Sequence, residues 1–111
     1  MRLNMSEKKT NCTDWSAIHD FMPPGPARLT VNGKCTFPTP GYKVTLKKKV
    51  PESLDPSILL LEKTVVPPTP PPPEDVVTTV SVTPYEEVTD RRYTRVEISP
   101  DGTRIEVKDV H

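Results

Sequence analysis

The sequence predicts an all-β protein, a small and mostly antiparallel β-sandwich of about six or seven strands with one short N-terminal helix. Three observations lead there. Fifteen prolines are spread through 111 residues, which disfavours helix almost everywhere, whereas loops between short strands tolerate them. Apolar and polar residues alternate along several stretches, the period of a half-buried strand. The run Pro67-Pro68-Thr69-Pro70-Pro71-Pro72-Pro73 then divides two such stretches. It can be neither helix nor central strand, because proline fixes φ and has no backbone N–H. Residues 67–73 are expected as a stiff surface connector, roughly 20 Å long at about 3.1 Å per residue, suited to crossing from one sheet or edge to another.

Residues 1–11 are polar and charged and are expected to be loosely ordered, which leaves residues 12–111 as one sandwich domain. Residues 13–22 read as the helix. Thr13 or Asp14 can cap it, Trp15, Ile18 and Met22 fall at i, i+3 and i+7, and Pro23-Pro24 ends it. Its apolar face is expected to cover one end or side of the sandwich, with His19 and Asp20 on the wet face.

From Leu29 the period becomes two. Leu29, Val31, Gly33, Cys35 and Phe37 share one parity, and its continuity across Gly33 predicts one long bent strand, not an Asn32-Gly33 hairpin. A turn at residues 38–41 precedes a strand with Tyr42, Val44 and Leu46 on one face. Ile58-Leu59-Leu60-Leu61 is apolar on both parities and is expected to be covered on both faces. After the connector, Val76, Thr78, Val80 and Val82 alternate with Val77, Thr79 and Ser81, and a weaker strand follows around Tyr85 to Val88. A hairpin closes the chain. Matching its apolar faces pairs Ile98 with Ile105 and Val96 with Val107, with Pro100-Asp101-Gly102-Thr103 as the loop and Gly102 at positive φ. The architecture is immunoglobulin-like by analogy only, since Trp15 precedes both β-rich halves and no Cys…Trp…Cys order exists.

Fifteen basic residues balance fifteen acidic ones. That balance disfavours a dedicated nucleic-acid partner, which would show a basic excess, and removes charge repulsion between copies. The chain has no apolar run long enough to cross a membrane as a helix, and its first residues lack the apolar core of a signal peptide. A cytoplasmic location is expected on that basis, and with it free thiols at Cys12 and Cys35.

Chemistry-bearing clusters are few. His19 and His111 are the two histidines. Cys12, Asp14, His19 and Asp20, with Cys35 at a distance, match no zinc-ligand spacing. Arg95, Glu97, Arg104, Glu106 and Lys108 fall on the polar face of the last hairpin, as ordinary cross-strand charge pairing does. Lys47-Lys48-Lys49 lacks interleaved aromatics and reads as the guard of a strand edge. No nucleotide-binding or hydrolase motif is present.

These observations predict no catalytic residue, cofactor or metal, and neither a nucleic-acid nor a membrane partner. The expected function is a non-catalytic protein-interaction module acting through a strand edge or loop surface. Its partner is a protein or a second copy in a homodimer, and Val76, Thr78, Val80 and Val82 form the candidate edge. The alternative is a loop-based inhibitor or a carbohydrate-binding sandwich.

Overall fold

The computed structural model describes residues 11–71 and 75–111. The expectation of a loose N-terminal segment lies, through residue 10, outside the described residues, as do residues 72–74 of the connector region. Eight strands follow in chain order: β1 (Asn11–Asp20), β2 (Arg28–Phe37), β3 (Lys43–Lys48), β4 (Ile58–Val66), β5 (Thr78–Ser81), β6 (Tyr85–Val88), β7 (Arg95–Ser99) and β8 (Thr103–Val110). There is no helix among the described residues.

The expected N-terminal helix is therefore corrected to a strand, which brings the count to eight. Ala17 and His19 are buried, while Ile18 and Met22 are 38% and 50% exposed. The helical spacing of Trp15, Ile18 and Met22 weighed large apolar residues and passed over the small Ala17 and the polar His19. Those two carry the period-two burial of β1. Ile18 and Met22 consequently do not cap the core.

Hydrogen-bonded neighbours run β3-β4-β7-β8-β1-β2-β5, with β6 also on β2. Pairs β4–β7 and β1–β8 are parallel and the others antiparallel. β8 joins the two halves of this path: residues 103–106 pair with β7 and residues 107–110 with β1. At the opposite side the Thr83 N–H donates to the Val44 carbonyl at 2.9 Å, bringing the path's ends together. The result is a mixed, nearly closed, barrel-like sheet, still mostly antiparallel in its pairings as expected, in place of the open sandwich. An immunoglobulin-like arrangement would need two separate sheets, and the shared strand β8 supports only the barrel-like description.

The core follows strand parity. Leu29, Val31, Cys35 and Phe37 of β2 point inward with Gly33 among them, so β2 is the single long strand its alternation predicted. Ala17, Val44, Leu46, Leu59, Leu61, Val82, Tyr93, Val96, Ile98 and Ile105 complete the cluster, each large aliphatic among them stabilising the fold by about 1.5–3 kcal/mol. β4 is covered less evenly than expected: Leu59 and Leu61 are buried, Ile58 and Leu60 half-buried.

The connector follows β4, and the next strand in the chain, β5, lies at the other end of the strand path. Gly41 makes room for it, since with φ at +95° a Cβ there would stand 2.7 Å from Pro68 Cβ.

The last hairpin keeps its predicted faces but shifts its register by two residues. Val96 pairs with Ile105 and Ile98 with Thr103. The loop is residues 99–102, closed by the Gly102 N–H donating to the Ile98 carbonyl at 2.8 Å, with Gly102 at φ +76°. A two-residue slip preserves parity, so hydrophobic matching alone does not distinguish the two registers.

Candidate functional site

β1 changes register in its middle. Thr13 pairs with Lys34, but the next pair is Ser16 with Asn32. Asp14 and Trp15 together thus face Gly33, a β-bulge. Asp14 sits at φ +58°, a left-handed conformation that Asp tolerates better than most residues. The bulge turns the half-buried Trp15 ring onto Gly33, the one inward position of β2 without a side chain.

On its other side β1 pairs with β8 only from Ala17–Val107 to Asp20–Val110. Ahead of that point the two strands part. At this fork, between residues 15–18 of β1 and residues 103–108 of β8, lies a cleft of about 580 Å³, lined by Trp15, Ala17, Thr103, Arg104, Ile105 and Glu106 among others. Each wall has one strand neighbour, β2 behind β1 and β7 behind β8. Ahead of Ala17–Val107 the facing edges of the two strands have no ladder partner in each other among the described residues. Arg104 stands at the rim with its side chain 71% exposed, its Nε 3.7 Å from Glu97, which also holds Arg95 at 3.0 Å. Pairs this exposed contribute about 0–1 kcal/mol.

The start of β1 is fastened on the side away from β8. Cys12 lies directly opposite Cys35, and the two form a disulfide, which corrects the expectation of free thiols. Lys63 Nζ donates to Cys12 Sγ at 3.4 Å and to Asp101 Oδ2 at 2.6 Å, with its side chain only 6% exposed. Strand β4 and the β7–β8 loop are thereby joined to the same corner.

His19 is also corrected, from a wet helix face to the interior. It is fully buried, and its Nε2 lies 2.7 Å from the Thr89 carbonyl. A carbonyl only accepts, so Nε2 carries the hydrogen. Nδ1 is buried without a partner among the described residues. The Phe21 ring packs 4.1 Å from the His19 ring and stacks on His111 at 5.2 Å. Arg92 lies 4.1 Å over Phe21 and pairs with Asp109 at 2.9 Å. No carboxylate bonds His19 among the described residues, and Cys12 and Cys35 present no thiolate, so the sequence cluster around His19 is not gathered into a site.

A second polar group spans the seam between β3 and β6. The Tyr85 hydroxyl donates to Glu87 Oε1 at 2.7 Å, and Lys48 Nζ lies 3.5 Å from Glu87 Oε2. Burial, then the bond to Glu87, pushes the Tyr85 phenol well above its ordinary value. Burial alone would lower the Lys48 ammonium, but the charges of Glu87, Tyr93 and Glu52 outweigh it and hold the group above its ordinary value. Lys48 thus joins strands across the seam, while Lys47 and Lys49 remain exposed on the terminal strand and its following loop.

Val76, Thr78, Val80 and Val82 do not form one exposed face. Thr78 and Val80 pair with Phe37 and Cys35 of β2. Val82 is buried in the core at 2% exposure, and Val76 is half-exposed ahead of β5. The cleft residues Trp15, Thr103 and Ile105 had one signal in the sequence, the inward glycine of an otherwise side-chain-filled strand, which marks a close approach.

No protein-family model matches this chain, and neither a curated protein nor a solved structure matches it significantly.

Proposed function

We propose that this chain is a non-catalytic protein-interaction module whose binding site is the cleft between β1 and β8. The observation that carries the reading is the loss of pairing ahead of Ala17–Val107, which among the described residues leaves two strand edges facing each other beside Trp15, Ala17 and Ile105. Unpaired edges are templates for an added strand, and such addition is a recurring mode of peptide recognition. The placement of the histidines agrees with a non-catalytic role, since His19 serves the core and His111 stacks on Phe21. A homodimer would use the same edges, with a second copy supplying the segment. The disulfide favours an oxidising compartment over the cytoplasmic location expected from the sequence.

Titrating the nitrogen-labelled protein with short valine- and threonine-rich peptides tests this. Amide shifts are expected in residues 12–18 and 103–108, together with a change in the emission of Trp15, the sole tryptophan. Shifts confined to other surfaces would overturn the assignment.

A second reading has one observation in its favour. Trp15 lines the cleft beside Ser16, Thr103, Arg104 and Glu106, an apolar ring beside hydroxyl and charged groups, as a carbohydrate ligand requires. A glycan array reporting saturable binding that competes with Trp15 quenching would favour it.

A further inference from the structure

The strands that bound the cleft run parallel to each other, and each is already paired on its outer side. We infer that the cleft accepts one extended segment of a protein partner as an interior strand, antiparallel to both β1 and β8. This rests on the binding role proposed for the cleft.

Three features define the occupant. A ligand held only by side chains would leave two facing rows of backbone donors and acceptors unmatched, whereas an extended polypeptide offers such groups to both sides in alternation. Because β1 and β8 share a direction, a single segment can be antiparallel to both, and antiparallel ladders are the more stable per residue. The part of β8 that pairs with β7 but, among the described residues, has no partner on its β1 side is residues 103–106, which at about 3.3 Å per residue matches roughly 13 Å of strand.

The lining adds side-chain chemistry. Inward positions of the inserted strand meet the half-buried Trp15 ring and Ile105, itself 8% exposed. Outward positions emerge among Arg104, Glu106 and Lys108, all exposed. The recognised segment therefore alternates apolar and polar residues and is anchored mainly through its backbone, so it tolerates changes of sequence that keep that alternation.

The experiment uses the oxidised protein and an acetylated, amidated peptide of alternating valine and threonine. Two derivatives carry N-methyl groups on every valine amide or on every threonine amide. In an extended strand these two sets of N–H groups point to opposite neighbours. An interior strand uses both, so each derivative is expected to bind at least about tenfold more weakly, the loss of roughly one hydrogen-bond row. Binding is read from Trp15 emission and from amide shifts at residues 103–106. A spin label on the peptide's amino end is expected to broaden residues 106–108 more than residue 103.

Either methylated peptide retaining the parent's affinity would overturn the inserted strand while leaving the cleft as a binding site. A parent peptide that disturbs neither Trp15 nor residues 103–106 would overturn the cleft's binding role itself. Preferential broadening of residue 103 would overturn the antiparallel direction. A Trp15 change that grows with protein concentration alone would give the cleft to a second copy and overturn the partner assignment.

Discussion

The indole of Trp15 fills the space that a side chain at Gly33 would need: a Cβ there would collide with Trp15 Cε3 and stand 2.6 Å from Cζ3. This relation links the bulge, the long strand β2 and the cleft. The bulge sets Trp15 against Gly33, the missing side chain lets the ring lie down on β2, and the same ring lines the gap beside β8.

Gly33→Ala should therefore push the indole toward the cleft. The expected cost is about 1–3 kcal/mol, the range for overpacking a well-filled site, with a red-shifted Trp15 emission and weaker peptide binding. Trp15→Ala, which uncovers the glycine, should cost about 1.5–3 kcal/mol. In the Trp15→Ala background, Gly33→Ala should cost much less than it does alone. A double-mutant cycle from denaturant melts measures that coupling, and additive costs would mean that the two residues do not share the space.

Much of this was legible in the alternation of β2 and little of it in β1. Leu29, Val31, Cys35 and Phe37 are apolar enough to announce their face, so β2 and the core side of the last hairpin follow from pattern alone. β1 carries Cys12, Trp15, Ala17 and His19, which no hydropathy count ranks as one face, and its bulge breaks the parity between Thr13 and Ser16. The parallel β1–β8 pair joins residues about ninety positions apart, as Ala17–Val107 shows. No local signal encodes such a partner choice, so the cleft it leaves open could not be located from sequence, which pointed instead to the Val76 to Val82 edge.

The Cys12–Cys35 bond closes a loop of sequence separation 23 between β1 and β2. By chain-entropy reasoning such a crosslink stabilises by about 3 kcal/mol. Replacing both cysteines with alanine, or reducing the native protein, should lower the melting temperature by roughly 10–20 °C for a domain of this size. An unchanged melt after complete reduction would show that the corner is held by other contacts, Lys63 with Asp101 first among them.

Stability should fall on the alkaline side. Burial and the bond to Glu87 raise the Tyr85 phenol, and Lys48 is raised by Glu87 and its neighbours. From about pH 10 upward the unfolded chain releases protons that the folded protein still holds. The unfolded state then binds fewer protons, and the free energy of unfolding decreases as pH rises. Thermal melts should be flat between neutral pH and about 9 and decline above about 10. Tyr85→Phe should cost about 0.5–1.5 kcal/mol near neutral pH through the lost hydrogen bond, yet show a shallower alkaline decline. An equally steep decline in Tyr85→Phe would remove the phenol as its cause.

His19 separates a packing role from a chemical one. The ring fills interior space and donates to the Thr89 carbonyl, but it also buries Nδ1 without a partner among the described residues. His19→Ala should cost roughly 2–4 kcal/mol through the cavity it opens. His19→Leu keeps most of the volume, loses one hydrogen bond and also removes the unpartnered nitrogen. The alanine variant loses the same bond and the same nitrogen, so the two differ in filled volume, and the leucine variant should be the more stable by at least about 1 kcal/mol. Both variants should bind peptide at the β1–β8 cleft with the parent's affinity at temperatures where they are folded. A leucine variant as unstable as the alanine one in denaturant titrations would mean that the Nε2–H bond to Thr89, and not the packed volume, is what His19 contributes to this end of the barrel.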